Sequence, residues 1–197
     1  NEKPLGVAQP NRPERPTGKF TLEGLGQALG ATMPEGAIVV DESVTTGRGF
    51  FPYSAGAPPH DWLNNMGGSI GFGGPVAVGA AVACPNRKVI CMIGDGSAMY
   101  TIQSLWTMAR ENLDVCVMIF SNRSYNILYS QLADVGAANP GPRAIDMLTL
   151  DRPAIDFAMM SKSMGVPGGQ AHNLEELTKQ LTYAMSQHGP YLVDVVM

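Results

Sequence analysis

Between Val89 and Tyr125 the chain reads V-I-C-M-I-G-D-G-S-A-M-Y, a middle stretch, and then V-C-V-M-I-F-S-N-R-S-Y. Two apolar, β-branched runs each stop abruptly at a polar cluster, Gly94-Asp95-Gly96-Ser97 and Ser121-Asn122-Arg123-Ser124. Short apolar runs bounded by turn residues predict strands buried on both faces, as in a parallel sheet. Between them Met99, Ile102, Leu105, Trp106 and Ala109 recur at the spacing of one helix face. Strand, helix and strand make a right-handed crossover on a parallel sheet. Both polar clusters then fall at the C-terminal edge of neighbouring strands, where open α/β sheets bind ligands.

The rest of the chain repeats this grammar. Leu22, Leu25, Leu29 and Met33 are helically spaced after the cap residue Thr21, although Gly24, Gly26 and Gly30 weaken such a helix unless close packing supports it. Ala37 to Asp41 is a short buried strand that runs into the polar Glu42 to Gly47. Residues 50–65 read as an aromatic, Pro-rich loop, with His60 at the surface. The glycine-rich Gly67 to Gly74 leads into a helix over Val76 to Ala83. A short helix follows Tyr125, residues 134–150 read as a loop and candidate lid, and Pro153 suits a first helical turn. Asn173 to Glu176 resembles a capping box ahead of Leu177, Leu181 and Ala184, and Tyr191 to Val196 is the last strand. The expected fold is α/β, a mostly parallel sheet with helices on both faces. Pro4, Pro10, Pro13 and Pro16 mark residues 1–19 as a linker between domains, leaving residues 20–197 as one domain.

The chemistry lies at the two strand ends. Asp95 is a carboxylate between two glycines, which permit a tight turn and, at Gly96, close backbone approach to a ligand. Ser97 opens a helix whose amides favour an anion. Asn122 offers an amide oxygen and Ser124 a backbone carbonyl. One carboxylate and two neutral oxygens are a poor cage by themselves. They make a good half-cage for Mg²⁺ whose remaining ligands are phosphate oxygens.

G-D-G-S followed after one helix by S-N-R-S-Y resembles the thiamin diphosphate motif, G-D-G and then N-N. With I-G-D-G-S-A-M-Y-T-I-Q-S-L-W-T, the chain after Thr21 is similar to the C-terminal domain of the benzoylformate decarboxylase and acetolactate synthase-like family. The resemblance implies the thiamin diphosphate-binding fold. It implies Mg²⁺ on Asp95, Asn122 and the Ser124 carbonyl, with Ser97 and Tyr125 near the diphosphate. It implies cofactor contacts from Val44 and Thr45, whose loop also reads as a plain helix N-cap. The Gly68 carbonyl would accept from the aminopyrimidine, and Ile70 would wedge between the two rings. Ile127 and Leu128 would shape the substrate pocket. Ser121 stands where the motif has its first Asn; the ligand is the second, so coordination should survive.

The resemblance also implies what is missing. The family's activating glutamate sits on a pyrimidine-binding domain, expected from a missing segment or a second chain, so no catalytic residue is expected here. The implied reaction is decarboxylation of a small 2-oxo acid, with or without carboligation, in a homodimer or homotetramer. The rival expectation is a non-enzymatic Mg-nucleotide-binding α/β module, but neither G-x-G-x-x-G after the first strand nor G-x-x-x-x-G-K-[ST] occurs. A net charge of −4 without a basic cluster speaks against nucleic acid, and no run approaches the roughly 20 apolar residues of a membrane helix. Three cysteines without metal or disulfide spacing fit a reducing cytoplasm. The chain starts at Asn1 without signal peptide or initiator Met and so reads as a processed piece or fragment.

Overall fold

The structure, a computed structural model, describes residues 11–47, 49–137 and 139–197. Among the described residues six strands form one sheet: β1 (Ile38–Glu42), β2 (Asp61–Asn64), β3 (Val89–Gly94), β4 (Val115–Ser121), β5 (Gly168–Ala171) and β6 (Tyr191–Val196). Their order is β2-β1-β3-β4-β6-β5, and every neighbouring pair is parallel. The helices are α1 (Leu22–Thr32), α2 (Phe50–Ser54), α3 (Gly73–Ala83), α4 (Asp95–Thr101), α5 (Ser104–Arg110), α6 (Asn126–Asp134), α7 (Pro142–Met147), α8 (Phe157–Ser163) and α9 (Leu174–Ser186).

Because successive strand residues face opposite ways, the sheet feeds two hydrophobic layers. Val39, Ile90, Met92, Met118 and Val193 pack beneath α1, α2 and α9 through Leu25, Leu29, Phe50, Leu177 and Leu181. Val40, Val89, Cys91, Val117 and Ile119 pack on the other side beneath α3, α5 and α8 through Ala77, Ala81, Leu105, Met108 and Phe157. Burying each large side chain contributes about 1.5–3 kcal/mol. Cys91 and Cys116 are free, fully buried thiols whose pKa values burial drives upward, that of Cys116 to about 12. Among the described residues no helix is long and apolar enough to cross a membrane.

Local chemistry sets the helix ends. Thr21 caps α1 by accepting from Gly24 N at 2.9 Å. Asn173 caps α9 by accepting from Glu176 N at 2.8 Å, and the Glu176 carboxylate in turn accepts from His172 N at 2.8 Å. The glycines of α1 do meet close neighbours. A Cβ on Gly26 would lie 2.5 Å from the Tyr53 ring, and one on Gly30 would lie 2.2 Å from the Tyr53 carbonyl oxygen.

Four sequence expectations are revised. Residues 50–65 hold α2 and β2 rather than a loop alone. The segment after β3 is two short helices, because Leu105 N and Trp106 N bond back three residues to Ile102 O and Gln103 O. That tighter turn rotates Met108 inward and leaves Met99 and Trp106 exposed, with Trp106 under the Arg110 guanidinium at 5.4 Å. Residues 134–150 include α7, and α8 is capped by Asp156, which accepts from Met159 N at 2.7 Å, so Pro153 lies outside it. The first ten residues of the expected linker lie outside the described residues. Of the remainder, Arg12 donates to Met33 O at 2.8 Å, and Gly18 N donates to the Glu175 carboxylate at 2.9 Å.

A buried carboxylate sits at the far end of β6. Asp194 is fully buried and accepts from Ser121 Oγ at 2.5 Å and Gln170 Nε2 at 3.3 Å. Burial raises its pKa; Ser121, Gln170 and the Phe157 amide oppose the rise, and Asp156 adds to it.

Two outcomes follow from this packing. Gly30→Ala should destabilise the chain by about 1–3 kcal/mol, because backbone cannot yield as a side chain end can. Gly79→Ala, whose Cβ would meet nothing within 4 Å, should be neutral or stabilising by up to about 1 kcal/mol. Chemical denaturation of both variants checks the pair, and equal stabilities would contradict this packing of α1 against α2. For Asp194 the raised folded pKa means that the native state binds more protons than the unfolded chain. Its contribution is fully present below about pH 4 and is lost as pH rises through the raised value. Asp194→Asn should therefore flatten the fall in melting temperature as pH rises above about 4 (thermal denaturation across pH), and an unchanged slope would count against it.

Candidate functional site

The sheet has a switch point between β1 and β3. From β1 the chain moves to β2 on one side and from β3 to β4 on the other, so the loops leaving β1 and β3 part and open a crevice. A cavity of about 80 Å³ occupies it. Three loop tips line it: Ser43 to Thr46 after β1, Gly94 to Ser97 after β3, and Asn122 to Ile127 without Arg123 after β4, with Ile70 from the glycine-rich loop. A larger depression of about 440 Å³ adjoins it across Ser43 and Val44, and one of about 280 Å³ across Thr45, Thr46, Asn122, Ser124 and Asn126.

Asp95 is buried at the start of α4. Its Oδ1 accepts from Gly96 N at 2.8 Å and its Oδ2 from Arg123 N at 2.6 Å. The second bond ties the loop after β3 to the loop after β4. Burial nevertheless raises the Asp95 pKa, against the Gly96 and Arg123 amides and with help from the charge of Asp194. A carboxylate whose charge is so incompletely compensated favours a cation beside it. Asn122 Oδ1 accepts from Ser124 N at 2.9 Å, and the buried Ser124 Oγ has no hydrogen-bond partner among the described residues. Among the described residues no group of three or more His, Cys, Asp and Glu could hold a metal. A divalent ion here would therefore take one carboxylate, amide and backbone oxygens, and oxygens of a bound ligand.

Two non-glycine residues carry left-handed backbone at these tips, Val44 with φ 48° and Arg123 with φ 55°. For a β-branched residue this is costly, and such strain gathers at ligand sites. Asp41 holds the first tip, since its Oδ1 accepts from Ser43 N at 2.9 Å and Ser43 Oγ at 2.5 Å. At Gly96 a Cβ would meet the Tyr125 ring at 2.6 Å, so glycine lets the two loops close together.

Of the residues expected from sequence, the structure brings together Val44, Thr45, Ile70, Asp95, Gly96, Ser97, Asn122, Ser124, Tyr125 and Ile127 around one cavity. Gly68 lines the larger neighbouring depression. Leu128 is 43% exposed on α6 and does not line the cavity. Sequence reasoning passed over Ser43, Thr46 and Asn126, which also line it. Each is a small polar residue beside one that was chosen, a signal no stronger than an ordinary turn gives.

It also passed over the part played by Glu42. This buried carboxylate ends β1 and accepts from Gly71 N, and from Gly73 N at 2.5 Å. Burial raises its pKa while the Gly73 and Gly71 amides and the Ser97 hydroxyl hold it down.

Residues 47–195 match a known family, the thiamine pyrophosphate enzyme, C-terminal TPP binding domain. The chain is 50% identical over 192 residues to IlvX of Mycobacterium tuberculosis, named for an acetolactate synthase large subunit; the match covers 97% of this chain and 37% of that protein. It is 33% identical over 195 residues to benzoylformate decarboxylase of Pseudomonas aeruginosa, covering 98% of this chain and 34% of the relative. Among solved structures, the thiamine diphosphate-dependent 4-hydroxybenzoylformate decarboxylase of Rhodococcus jostii RHA1 superposes with a TM-score of 0.80 at 29% identity, over 99% of this chain and 35% of that one. The chain thus spans about a third of the length of these relatives. A switch-point crevice with a G-D-G tip facing an Asn tip, and a family match across most of the fold, place this chain among the C-terminal TPP-binding domains of thiamine pyrophosphate enzymes.

Proposed function

We propose that this chain supplies the metal-diphosphate half of a thiamin diphosphate site in an enzyme that decarboxylates a small 2-oxo acid, with or without carboligation. Asp95, Asn122 and the Ser124 carbonyl would hold Mg²⁺. Gly96, Ser97, Val44, Thr45 and Tyr125 would surround the diphosphate. The Gly68 carbonyl and Ile70 would meet the rings, and Ile127 and Leu128 would border the substrate. When bound, the cofactor supplies a thiazolium carbon that serves as nucleophile and electron sink. The pyrimidine half would come from another segment of the same polypeptide or from a second chain, in a cytoplasmic homodimer or homotetramer.

One observation carries this reading: Asp95 and the Asn122 loop line one cavity and are joined by a 2.6 Å bond from Arg123 N. Charge supports it. Asp41, Glu42 and Asp194 lie toward the C-terminal ends of their strands, Asp95 directly follows β3, and the described residues lining the cavity include no Lys or Arg. A diphosphate entering such a place needs a cation to neutralise it, and Mg²⁺ shared between carboxylate and phosphate oxygens does so.

Calorimetric titration with thiamin diphosphate and Mg²⁺ tests the metal assignment. Asp95→Ala should lower affinity by more than about 100-fold, and unchanged affinity would remove Asp95 from the site. Thermal shifts separate ligand classes: thiamin diphosphate with Mg²⁺ should raise the melting temperature while ATP and NAD with Mg²⁺ should not. The 197 residues by themselves should turn over neither pyruvate nor benzoylformate with cofactor and Mg²⁺ present. Robust turnover would defeat the division of the site into two halves.

A further inference from the structure

The glycine-rich loop before α3 poses a mechanical question. Gly67, Gly68 and Gly71 all have left-handed φ values, 71°, 67° and 86°. A chain so free of steric restraint loses much entropy when held in one shape, so something must hold it. Glu42, 1% exposed, receives Gly71 N–H on one carboxylate oxygen and Gly73 N–H on the other. The same glycine is held again at its carbonyl, since Thr101 Oγ1 donates to Gly71 O at 2.7 Å. The fit leaves no slack: a Cβ on Gly73 would lie 2.8 Å from Glu42 Oε2, and one on Gly71 would lie 2.6 Å from Tyr100 Cβ. Ile70, next to this clamped glycine, faces the cavity that Asp95 lines.

We infer that Glu42 is a positioning residue, which, on the reading proposed above, fixes the glycine-rich loop so that Gly68 and Ile70 receive the ring end of the cofactor. It touches neither cofactor nor metal; it acts through the loop. The role needs a carboxylate, because two amides each require an acceptor oxygen. Glutamine offers one oxygen and opposes the second N–H with its own NH₂, leaving a buried donor unpaired. Charge-assisted bonds to two amides are also roughly twice as strong as neutral ones. The diphosphate end of the site rests mainly on other contacts, the Asp95–Arg123 bond and the Asn122–Ser124 turn, and Glu42 reaches it only through the Ser97 hydroxyl. Loss of Glu42 should therefore separate the two ends of the ligand.

The experiment uses two probes with Mg²⁺, thiamin diphosphate and inorganic diphosphate, titrated calorimetrically into the wild-type chain, Glu42→Gln and Thr101→Val. Glu42→Gln should bind thiamin diphosphate about tenfold or more weakly while binding inorganic diphosphate within about threefold of wild type. Thr101→Val, which loosens the same glycine at its carbonyl, should shift in the same direction by a smaller factor. Equal losses for both probes, the mark of a merely structural residue, overturn the inference, and so does no loss for either. If Glu42→Gln does not fold, Thr101→Val decides: a loss confined to thiamin diphosphate supports the clamp, and unchanged affinity removes it. A wild-type chain that binds neither probe defeats the underlying thiamin reading instead, a result distinct from variants that match a wild type binding both.

Discussion

The hydrogen bond from Arg123 N–H to the Asp95 carboxylate is the interaction on which the candidate site depends. It exists because β3 and β4 pair in parallel with Gly94 beside Phe120, so both chains leave the sheet at the same height. The register is fixed deep in the core, where Val89 to Ile93 and Val115 to Phe120 are buried on both faces. Slipping one strand by a residue would exchange the two hydrophobic layers throughout. The placement of one carboxylate against one amide is thus decided by many apolar contacts, and Arg123 bears a left-handed φ of 55° to complete it.

Charge is sorted along the strand direction. At the N-terminal end of β3 a buried lysine, Lys88, contacts Asp114 and donates to Ala184 O at 2.8 Å and Gln187 O at 2.6 Å. At the C-terminal ends the buried ionisable groups are Glu42, Asp95 and Asp194, each with a raised pKa and each accepting from amides or hydroxyls. Neutral donors lessen the cost of burying a carboxylate without cancelling its charge. One end of the sheet is therefore electrostatically closed, and the other is left attractive to cations.

The parts of this arrangement legible in the sequence were those encoded locally. Val89 to Gly94 and Val115 to Ser121 announced themselves by unbroken apolar runs, and Thr21 and Asn173 by their caps. The Asp95 and Asn122 tips were readable because each follows such a run directly. What could not be read depended on partners far along the chain or on segments too short to show a period. The five residues of α2 and four of β2 offer no repeat to recognise. The break between α4 and α5 comes from two three-residue-back bonds that no residue type dictates, and it buries Met108 while leaving Trp106, expected on the inner face, exposed. In the sequence Glu42 reads as an ordinary polar strand end, because its partners Gly71 and Gly73 lie 29 and 31 residues away.

Main-chain atoms do much of the work around the crevice: the amides of Gly71, Gly73, Gly96, Arg123 and Ser124 are all engaged by side chains that shape it. Peptide groups are common to every residue type, so most side-chain replacements at those five positions leave the donors themselves in place. Vulnerability concentrates instead in the few acceptors, Glu42, Asp95 and Asn122, and in glycines such as Gly73 and Gly96 whose missing methyl groups keep the passages open. Such a construction lets the surrounding sequence drift widely while the architecture of the crevice persists.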